Sequence, residues 1–114
     1  MTLTDARVAD IITYIDKYSS NTSGAIANYG KLVLEGSTEV TENSRGVSLY
    51  SGSLTLKDQA KIHGNTGINA YGNVSNGGGV YVSKGSKLVG VNYDSAGNSN
   101  NIFNNKPDNI YFAQ

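Results

Sequence analysis

The sequence predicts an all-β fold, a short parallel β-helix, and three observations lead to this prediction. Residues 24–43 and 46–65 match each other at a constant offset of 22 residues, and a fixed period of about 20 residues is typical of solenoids. Within each unit, apolar residues alternate with polar ones, as in short strands that bury one face. Glycines such as Gly30 and its repeat partner Gly52 separate the strands, because the turns require a positive φ.

Each unit therefore holds about three short strands and three turns, which form one coil, and strands of the same rank pair in parallel in successive coils. Charged residues support this stacking, since Glu35 falls over Lys57 and Glu39 falls over Lys61. Neighbouring strands lie about 4.8 Å apart. We expect both pairs to form exposed ion pairs that fix the register and stabilise it by about 0.2–1 kcal/mol each.

Asn43 and Asn65 also occupy equivalent positions in the two units. One interpretation is that their side-chain amides stack on each other at a turn. The other is that both residues merely adopt the left-handed backbone conformation that asparagine tolerates. The sequence leaves both interpretations open.

Residues 4–18 break the β pattern. Thr4 or Asp5 is suited to cap a helix N-terminus, and apolar residues recur at helical spacing on one face. These apolar residues are Val8, Ile11, Ile12 and Ile15. We expect an amphipathic helix that covers the end of the β-helix, where a coil exposes unpaired backbone.

The predicted organisation is a helical cap and connection over residues 1–23, followed by the β-helix over residues 24–114. A competing prediction for the first part is a strand from Ile11 to Ile15, because Ile-Ile-Thr-Tyr-Ile is rich in residues that favour strands. At the other end, Ile110 and Phe112 alternate around a tyrosine. We expect a last strand there that covers the open end and brings the total to three to four coils.

Two registers are consistent with the sequence after Asn65. In the first, residues 66–78 are an insertion, and the unit restarts at Gly79-Val80 as it did at Gly46-Val47. In the second, the coil continues unbroken and places four tyrosines at intervals of 21, 21 and 22 residues: Tyr29, Tyr50, Tyr71 and Tyr93. The first register keeps the glycine spacing better, so we expect the insertion.

Composition and charge limit the function classes. Nine basic and nine acidic residues give a net charge of zero, so we expect no nucleic-acid partner. No apolar run approaches the roughly 18 residues of a membrane span, so we expect no membrane insertion. The chain has no cysteine, which excludes disulfides and thiolate metal sites. Abundant Asn, Ser, Thr and Gly with few charges are common in microbial surface solenoids, which favours an extracellular or cell-surface location.

Three segments carry a resemblance to a known group of repeats. These segments are Leu54-Thr55-Leu56, Asn65-Thr66 and Gly77-Gly78-Gly79-Val80-Tyr81-Val82. They resemble right-handed parallel β-helix repeats, most of all those of adhesin-like surface proteins and of the passenger regions of autotransporters and polymorphic outer-membrane proteins. The last group pairs Gly-Gly-Ala-Ile with Phe-x-x-Asn. Here Gly24-Ala25-Ile26 lacks the first glycine, and Lys106, three residues after Phe103, stands where the motif has asparagine. The resemblance implies a right-handed β-helix in an exported surface protein.

Residues suited to catalysis are sparse. Some parallel β-helix proteins cleave acidic polysaccharides with clustered carboxylates that bind calcium or flank the scissile bond. Glu35 and Glu39 are four residues apart, but each lies opposite a lysine, which favours structural pairs. His63 is the sole histidine and has no second histidine or cysteine with which to share a metal, so we expect an exposed side chain without a role. We expect no catalytic residue, no cofactor and no metal.

Tyrosines are the residues most suited to recognition. The chain has eight tyrosines and no tryptophan, and an outward strip of them is suited to bind sugar rings or a partner protein. The alternative is a ladder that only stiffens one sheet. Since insertions in solenoids often carry function, we expect ligand contacts at the loop of residues 67–78 and its neighbours. The predicted binding residues are Tyr71, Asn69, Asn73, Tyr50 and Tyr81.

The sequence thus favours a non-catalytic module of a larger exported protein, serving as a spacer or as an adhesive segment that contacts a host or microbial surface glycan or protein. An alternative is a β-helix that binds or degrades polysaccharides. A third hypothesis is a subunit that associates end to end into filaments, because uncovered coil ends allow head-to-tail contacts.

Overall fold

The computed structural model describes residues 1–9, 24–67, 76–95 and 97–113 of the 114-residue chain. Within these ranges the chain forms twelve short β-strands. They are β1 (Thr2–Thr4), β2 (Arg7–Ala9), β3 (Ile26–Asn28), β4 (Lys31–Glu35), β5 (Glu39–Thr41), β6 (Val47–Leu49), β7 (Ser53–Leu56), β8 (Lys61–His63), β9 (Val80–Val82), β10 (Lys87–Val89), β11 (Ile102–Phe103) and β12 (Ile110–Phe112). Among the described residues, no helix is long and apolar enough to cross a membrane.

The strands form three four-stranded sheets in which every pairing is parallel. Sheet A has the order β1-β4-β7-β10, sheet B the order β2-β5-β8-β11 and sheet C the order β3-β6-β9-β12. Strands that follow one another along the chain belong to different sheets, so the chain passes through sheets C, A and B in turn. This solenoid-like, all-β architecture is compatible with the predicted parallel β-helix.

The repeat offset is confirmed in two of the three sheets. Leu32 pairs with Leu54 in sheet A and Val40 pairs with Ile62 in sheet B, both at an offset of 22 residues. In sheet C the offset is 21, because Ile26 pairs with Val47. The difference is absorbed at the next corner, where residues 50–52 connect β6 to β7 but only residues 29–30 connect β3 to β4.

Alternation along the strands produces one continuous core. In β4 and β7 the leucines are buried while the residues between them are partly exposed. The buried apolar side chains are Ile26, Leu32, Leu34, Val40, Val47, Leu49, Leu54, Leu56, Ala60, Ile62, Val80, Val82, Ile102 and Ile110. Full burial of one such leucine, isoleucine or valine side chain is worth about 1.5–3 kcal/mol, so these inward rows provide the main stabilisation of the stacked coils.

The predicted N-terminal helix is wrong for the part of it that the structure describes. Thr2–Thr4 is strand β1, paired with β4, and Arg7–Ala9 is strand β2, paired with β5. Val8 lies beside Val40 in register, so it extends an inward row of sheet B. The helical spacing depended on residues 11–15, and both the rest of the helix and the competing strand at Ile11–Ile15 lie outside the described residues.

Asp5, which the sequence suggested as a helix cap, instead belongs to a turn between sheets A and B. Its φ is +51°, and its Oδ1 accepts hydrogen bonds from the backbone N–H of Ser37 (2.8 Å) and the Ser37 hydroxyl (3.2 Å). Asp58, which lies two coils farther along, has a φ of +56°, and its carboxylate accepts from the Gly36 N–H of the coil between them at 2.9 Å. Carboxylates thus satisfy the backbone donors of the corner beside them.

The insertion after Asn65 is confirmed. Val47 pairs with Val80, and Leu49 pairs with Val82, so β9 restarts the unit after residues 66–78. The unbroken register would instead have placed the strand at residues 68–71. Because the restart keeps Gly79 beside Gly46, the backbone N–H of Val47 donates to the Gly79 carbonyl at 2.9 Å.

The connection from β10 to β11 lies across the C-terminal end of the coils, where β10, β11 and β12 are the edge strands. Val91 packs against the core, and the ring of Tyr93 lies 5.4 Å from that of Phe112. Farther along, Asn98 Oδ1 accepts a hydrogen bond from Asn109 Nδ2 at 2.9 Å. Ile110–Phe112 is a strand as predicted, and it continues sheet C as its outermost member.

Candidate functional site

Four tyrosines form a continuous ladder along sheet C, here called the tyrosine ladder: Tyr29, Tyr50, Tyr81 and Tyr111. Their ring centroids are 5.2, 6.4 and 5.7 Å apart in that order. Tyr81 and Tyr111 are register partners at the middle of β9 and β12, whereas Tyr29 and Tyr50 directly follow β3 and β6. Each coil thus places one aromatic ring on the outer side of the same sheet.

The ladder presents mostly ring edges and hydroxyl groups. Tyr29 and Tyr50 stack at an interplanar angle of 28°, and Tyr81 and Tyr111 at 25°, so neighbouring tyrosines occupy much of each other's faces. Tyr29 is the first ring of the ladder, and 72% of its surface is exposed. A ligand that stacks on a ring face therefore finds its most open platform at Tyr29, and edge contacts along the other rings.

Arg45 places a buried cation against this ladder. Its guanidinium carbon lies 4.9 Å from the Tyr81 ring centroid, in a cation–π contact. The guanidinium donates to the Ser48 hydroxyl (3.1 Å) and the Asn76 carbonyl (2.7 Å), while Nε has no partner among the described residues. Burial lowers the pKa of Arg45, and the electrostatic influence of Tyr50 and Tyr81 opposes that effect.

Arg45 was not singled out in the sequence analysis. The missed signal was local: Arg45 is the only long side chain in the connection between β5 and β6 apart from Glu42. A long side chain at a tight corner must either project into solvent or fold back along the neighbouring coil. Here it folds back and is only 5% exposed.

The predicted binding residues divide into two groups. Tyr50 and Tyr81 are neighbours in the tyrosine ladder, 6.4 Å apart, on the same side of the molecule. Tyr71, Asn69 and Asn73 lie outside the described residues, and their part in binding stays a prediction. Tyr93 contacts Phe112 at the C-terminal end and does not join the ladder.

A second ladder, of asparagines, runs through the corner between sheets B and C. Asn65 Oδ1 accepts from the backbone N–H and the side-chain Nδ2 of Asn43, at 3.0 and 3.1 Å. Asn105 Oδ1 receives the same two bonds from Asn65, and Asn109 Oδ1 receives them from Asn105. The stacked-amide interpretation is therefore confirmed.

The left-handed conformation belongs to the residue before each amide. The φ angles of Glu42, Gly64 and Asn104 are +58°, +69° and +53°. Each of these residues turns the chain so that the following asparagine points into the corner and is 6% exposed or less. These buried amides satisfy backbone groups that a tight corner would leave unpaired.

The two predicted charged pairs, one on sheet A and one on sheet B, are in register but do not form ion pairs. Glu39 and Lys61 are register partners, yet the Glu39 carboxylate accepts from the His63 ring, Oε1 to Nε2 at 3.0 Å. In the same sheet Arg7 pairs with Glu42 at 2.8 Å. Among the described residues neither Lys61 nor Lys57 makes a salt bridge, so the register prediction is confirmed while the predicted ion pairing is wrong.

The expectation that His63 is an exposed bystander is also wrong. Only 27% of its side chain is exposed. Besides its bond to Glu39, the imidazole stacks on the Phe103 ring at 5.1 Å and 13°. The residue joins β8 to the strands on either side of it, which sequence reasoning missed because the partners come from different coils.

A shallow depression opens beside these residues, here called the β5–β8 depression. It is lined by Ser37, Glu39, Gln59 and Lys61 and has a volume of about 240 Å³. It lies where the corner between sheets A and B meets the outer face of sheet B. Its lining offers a hydroxyl, a carboxylate, an amide and an ammonium group.

The chain matches no protein-family model, no curated protein and no solved structure.

In the ranges that the structure describes, no group of three or more His, Cys, Asp and Glu side chains comes together to hold a metal ion. Two surfaces offer groups suited to binding: the tyrosine ladder on sheet C, with the Arg45 charge beneath it, and the polar β5–β8 depression.

Proposed function

We propose that this chain is a non-catalytic, right-handed parallel β-helix module of an exported microbial surface protein, in which it serves as a spacer and an adhesive segment. The observation that carries the proposal is the tyrosine ladder, which places a ring on the same side of each successive coil of a continuously packed core. A repeated aromatic surface on a stiff scaffold is suited to contact a polymer or a partner protein at several points. The composition rich in Asn, Ser, Thr and Gly supports location outside the cell.

The spacer role is supported by the way the coils are joined. Inward side chains form uninterrupted apolar rows, and the asparagine ladder ties three successive corners through side-chain and backbone hydrogen bonds. In solenoids each unit contacts its neighbours, and stability accumulates from the interfaces between them. A module built this way holds its ends at a fixed separation, which is what a spacer between other segments requires.

The adhesive role is tested by binding of the purified chain to a glycan array and to intact microbial and host cells. We expect Tyr50→Ala and Tyr81→Ala to reduce binding, because both rings lie in the middle of the ladder. Tyr93→Ala is the matched control, since Tyr93 is 47% exposed but lies at the C-terminal end, apart from the ladder. No binding by the wild type, or equal losses in all three variants, would remove the ladder from consideration.

Polysaccharide degradation is the second candidate, since the β5–β8 depression is lined by the Glu39 carboxylate. A screen of neutral and acidic polysaccharides, with and without calcium, separates the two candidates. We expect no chain cleavage, because the His63 ring engages Glu39 Oε1 and, among the described residues, no second carboxylate lines the depression to complete a hydrolytic pair. Release of reducing ends or unsaturated products would favour the enzyme.

End-to-end assembly has less support than either the adhesive role or polysaccharide degradation. The connection from β10 to β11 lies across one end of the coils, and a second copy would have to displace Val91 and Tyr93 from the core and from Phe112. We therefore propose that the module acts as a monomeric segment.

A further inference from the structure

Glu39 and Lys61 keep unused hydrogen-bonding capacity although they are neighbours. They are register partners in adjacent strands, where opposite charges ordinarily attract. The His63 ring takes Glu39 Oε1, which leaves Oε2 without a hydrogen bond to any described residue. The Lys61 ammonium likewise makes none within the described part of the chain. A carboxylate oxygen and an ammonium group therefore both line the β5–β8 depression with hydrogen-bonding capacity that no described residue uses.

The other two lining residues complete a mixed set of donors and acceptors. The Gln59 amide supplies two N–H donors and one carbonyl acceptor, and it makes no side-chain hydrogen bond among the described residues. The Ser37 hydroxyl donates to Asp5 Oδ1 at 3.2 Å, so its oxygen remains free to accept. The β5–β8 depression therefore has donors and acceptors side by side and no dominant charge.

The backbone beneath these side chains is fixed by hydrogen bonds between coils. The Gln59 N–H donates to the Gly36 carbonyl at 3.0 Å, and the Lys61 N–H donates to the Thr38 carbonyl at 2.9 Å. Asp5 accepts from the Ser37 N–H on the other side. The depression is thus held in shape before any ligand arrives, which lowers the entropic cost of binding.

We propose that the β5–β8 depression binds one ring of a neutral saccharide. A sugar hydroxyl both donates and accepts, so adjacent hydroxyls are able to donate to Glu39 and accept from Lys61 while the Gln59 amide contacts a third. Glu39 and Lys61 together carry no net charge, so the depression attracts neither an acidic nor a cationic sugar by charge, which favours the neutral class. The volume of about 240 Å³ is below the roughly 300–1,000 Å³ of sites that enclose drug-sized ligands, which fits a single ring of a longer chain.

The proposal deepens the adhesive function, because it names a ligand class for a surface module, but it uses a different face of the molecule. The tyrosine ladder belongs to sheet C, whereas the depression lies on sheet B and its corner with sheet A. Variants in one surface therefore report on that surface alone, and the two proposals succeed or fail separately.

The test is an NMR titration of the full-length chain with three soluble probes: a neutral β-glucan oligosaccharide, a polygalacturonate oligosaccharide and a chitosan oligosaccharide. Gln59 and Gln114 are the only glutamines and His63 is the only histidine, so the Gln59 side-chain amide and the His63 ring protons are readily assigned reporters. We expect the neutral probe to shift both sets of signals in a saturable manner and the charged probes to bind at least about tenfold more weakly. A larger effect of either charged probe, or no shift at Gln59, would overturn the proposal.

Substitutions with matched controls locate the site. We expect Lys61→Met and Glu39→Gln each to weaken binding of the neutral probe about tenfold or more, as loss of a hydrogen bond to a charged group implies. Lys57→Met and Glu35→Gln are the controls, because they alter the equivalent pair at the same offset on sheet A, outside the depression. We expect those two to change the dissociation constant less than about twofold, and thermal unfolding to show that all four variants are folded. Equal effects in the two pairs would assign binding to another surface.

The ladder variants keep the two proposals distinct. Tyr50→Ala is expected to leave the Gln59 titration unchanged. If Tyr50→Ala instead abolishes the Gln59 shifts, the saccharide binds at the ladder and the depression is not the site. If cell binding is insensitive to the ladder variants while the Gln59 titration persists, the adhesive role of the ladder fails and the saccharide site stands.

Discussion

Gly52 shows how closely successive coils approach at the scale of a single residue. Its φ is +83°, and a β-carbon at this position would overlap the carbonyl oxygen of Gly30 in the preceding coil. Glycine is therefore required for two reasons, the backbone conformation and the space. Gly85 has a similar φ of +87°, but a β-carbon there would meet no atom within 4 Å.

The two glycines allow the cost of close approach to be separated from the cost of conformation. We expect Gly85→Ala to destabilise by about 1–2 kcal/mol, the cost of a left-handed alanine. Gly52→Ala has the same conformational cost and must also displace the backbone of Gly30, so we expect the free energy of unfolding to fall by about 4 kcal/mol or more. Urea denaturation of both variants provides the measurement, and equal losses would show that the coils are farther apart than described.

At the scale of strands, the charged rows report the register. Leu34 pairs with Leu56, so the residues that follow them, Glu35 at the end of β4 and Lys57 directly after β7, lie beside each other at the edge of sheet A. This pair is a cleaner probe than the pair on sheet B, where His63 binds the Glu39 carboxylate.

A charge-reversal cycle on sheet A tests the stacking directly. We expect Lys57→Glu to destabilise by about 0.5–1 kcal/mol, because it places two carboxylates on adjacent strands, and the added Glu35→Lys to restore part of the loss. The free energy of unfolding of the single and double variants gives the coupling. A double variant no more stable than the sum of the single changes would contradict the 22-residue register.

The strands were predictable from the sequence wherever the repeat was present. The prediction failed where the repeat was absent. Period two in the leucines of β4 and β7 fixes which face is buried, and the offset of 22 fixes which strands pair. The first residues offered only short apolar spacing, so Val8 was assigned to a helix although it extends a row of sheet B. Contacts such as His63 on Phe103 join residues 40 positions apart, and no local pattern reveals them.

At the scale of the whole molecule, the connection from β10 to β11 determines how the C-terminal end meets solvent. Parallel sheets expose backbone donors and acceptors on their last strands, which is a route to association with other chains. Val91 and Tyr93 cover part of that end. The corresponding connection from β4 to β5 has only the residues Gly36-Ser37-Thr38.

Replacing residues 90–101 by Gly-Ser-Thr tests this covering role. We expect the shortened chain to form concentration-dependent oligomers in sedimentation velocity experiments, because the edges of β10, β11 and β12 become accessible to the strands of another copy. The wild-type chain is expected to sediment as a monomer at the same concentrations. A monomeric shortened chain that remains folded would show that the connection does not protect this end.

The corner between sheets B and C tolerates connections of very different length. Residues 10–25 and 64–79 join strands there, yet residues 42–46 make the same connection in the coil between them. Doubling a flexible loop costs only about 0.6 kcal/mol of closure entropy, and buried asparagines hold the corner both in the short connection, through Asn43, and in the connection of residues 64–79, through Asn65. For protein engineering, the connection of residues 64–79 is the natural place to insert a foreign peptide, because it is already long. The short connection is unsuitable, because Arg45 and Gly46 are buried and hydrogen-bonded to neighbouring coils.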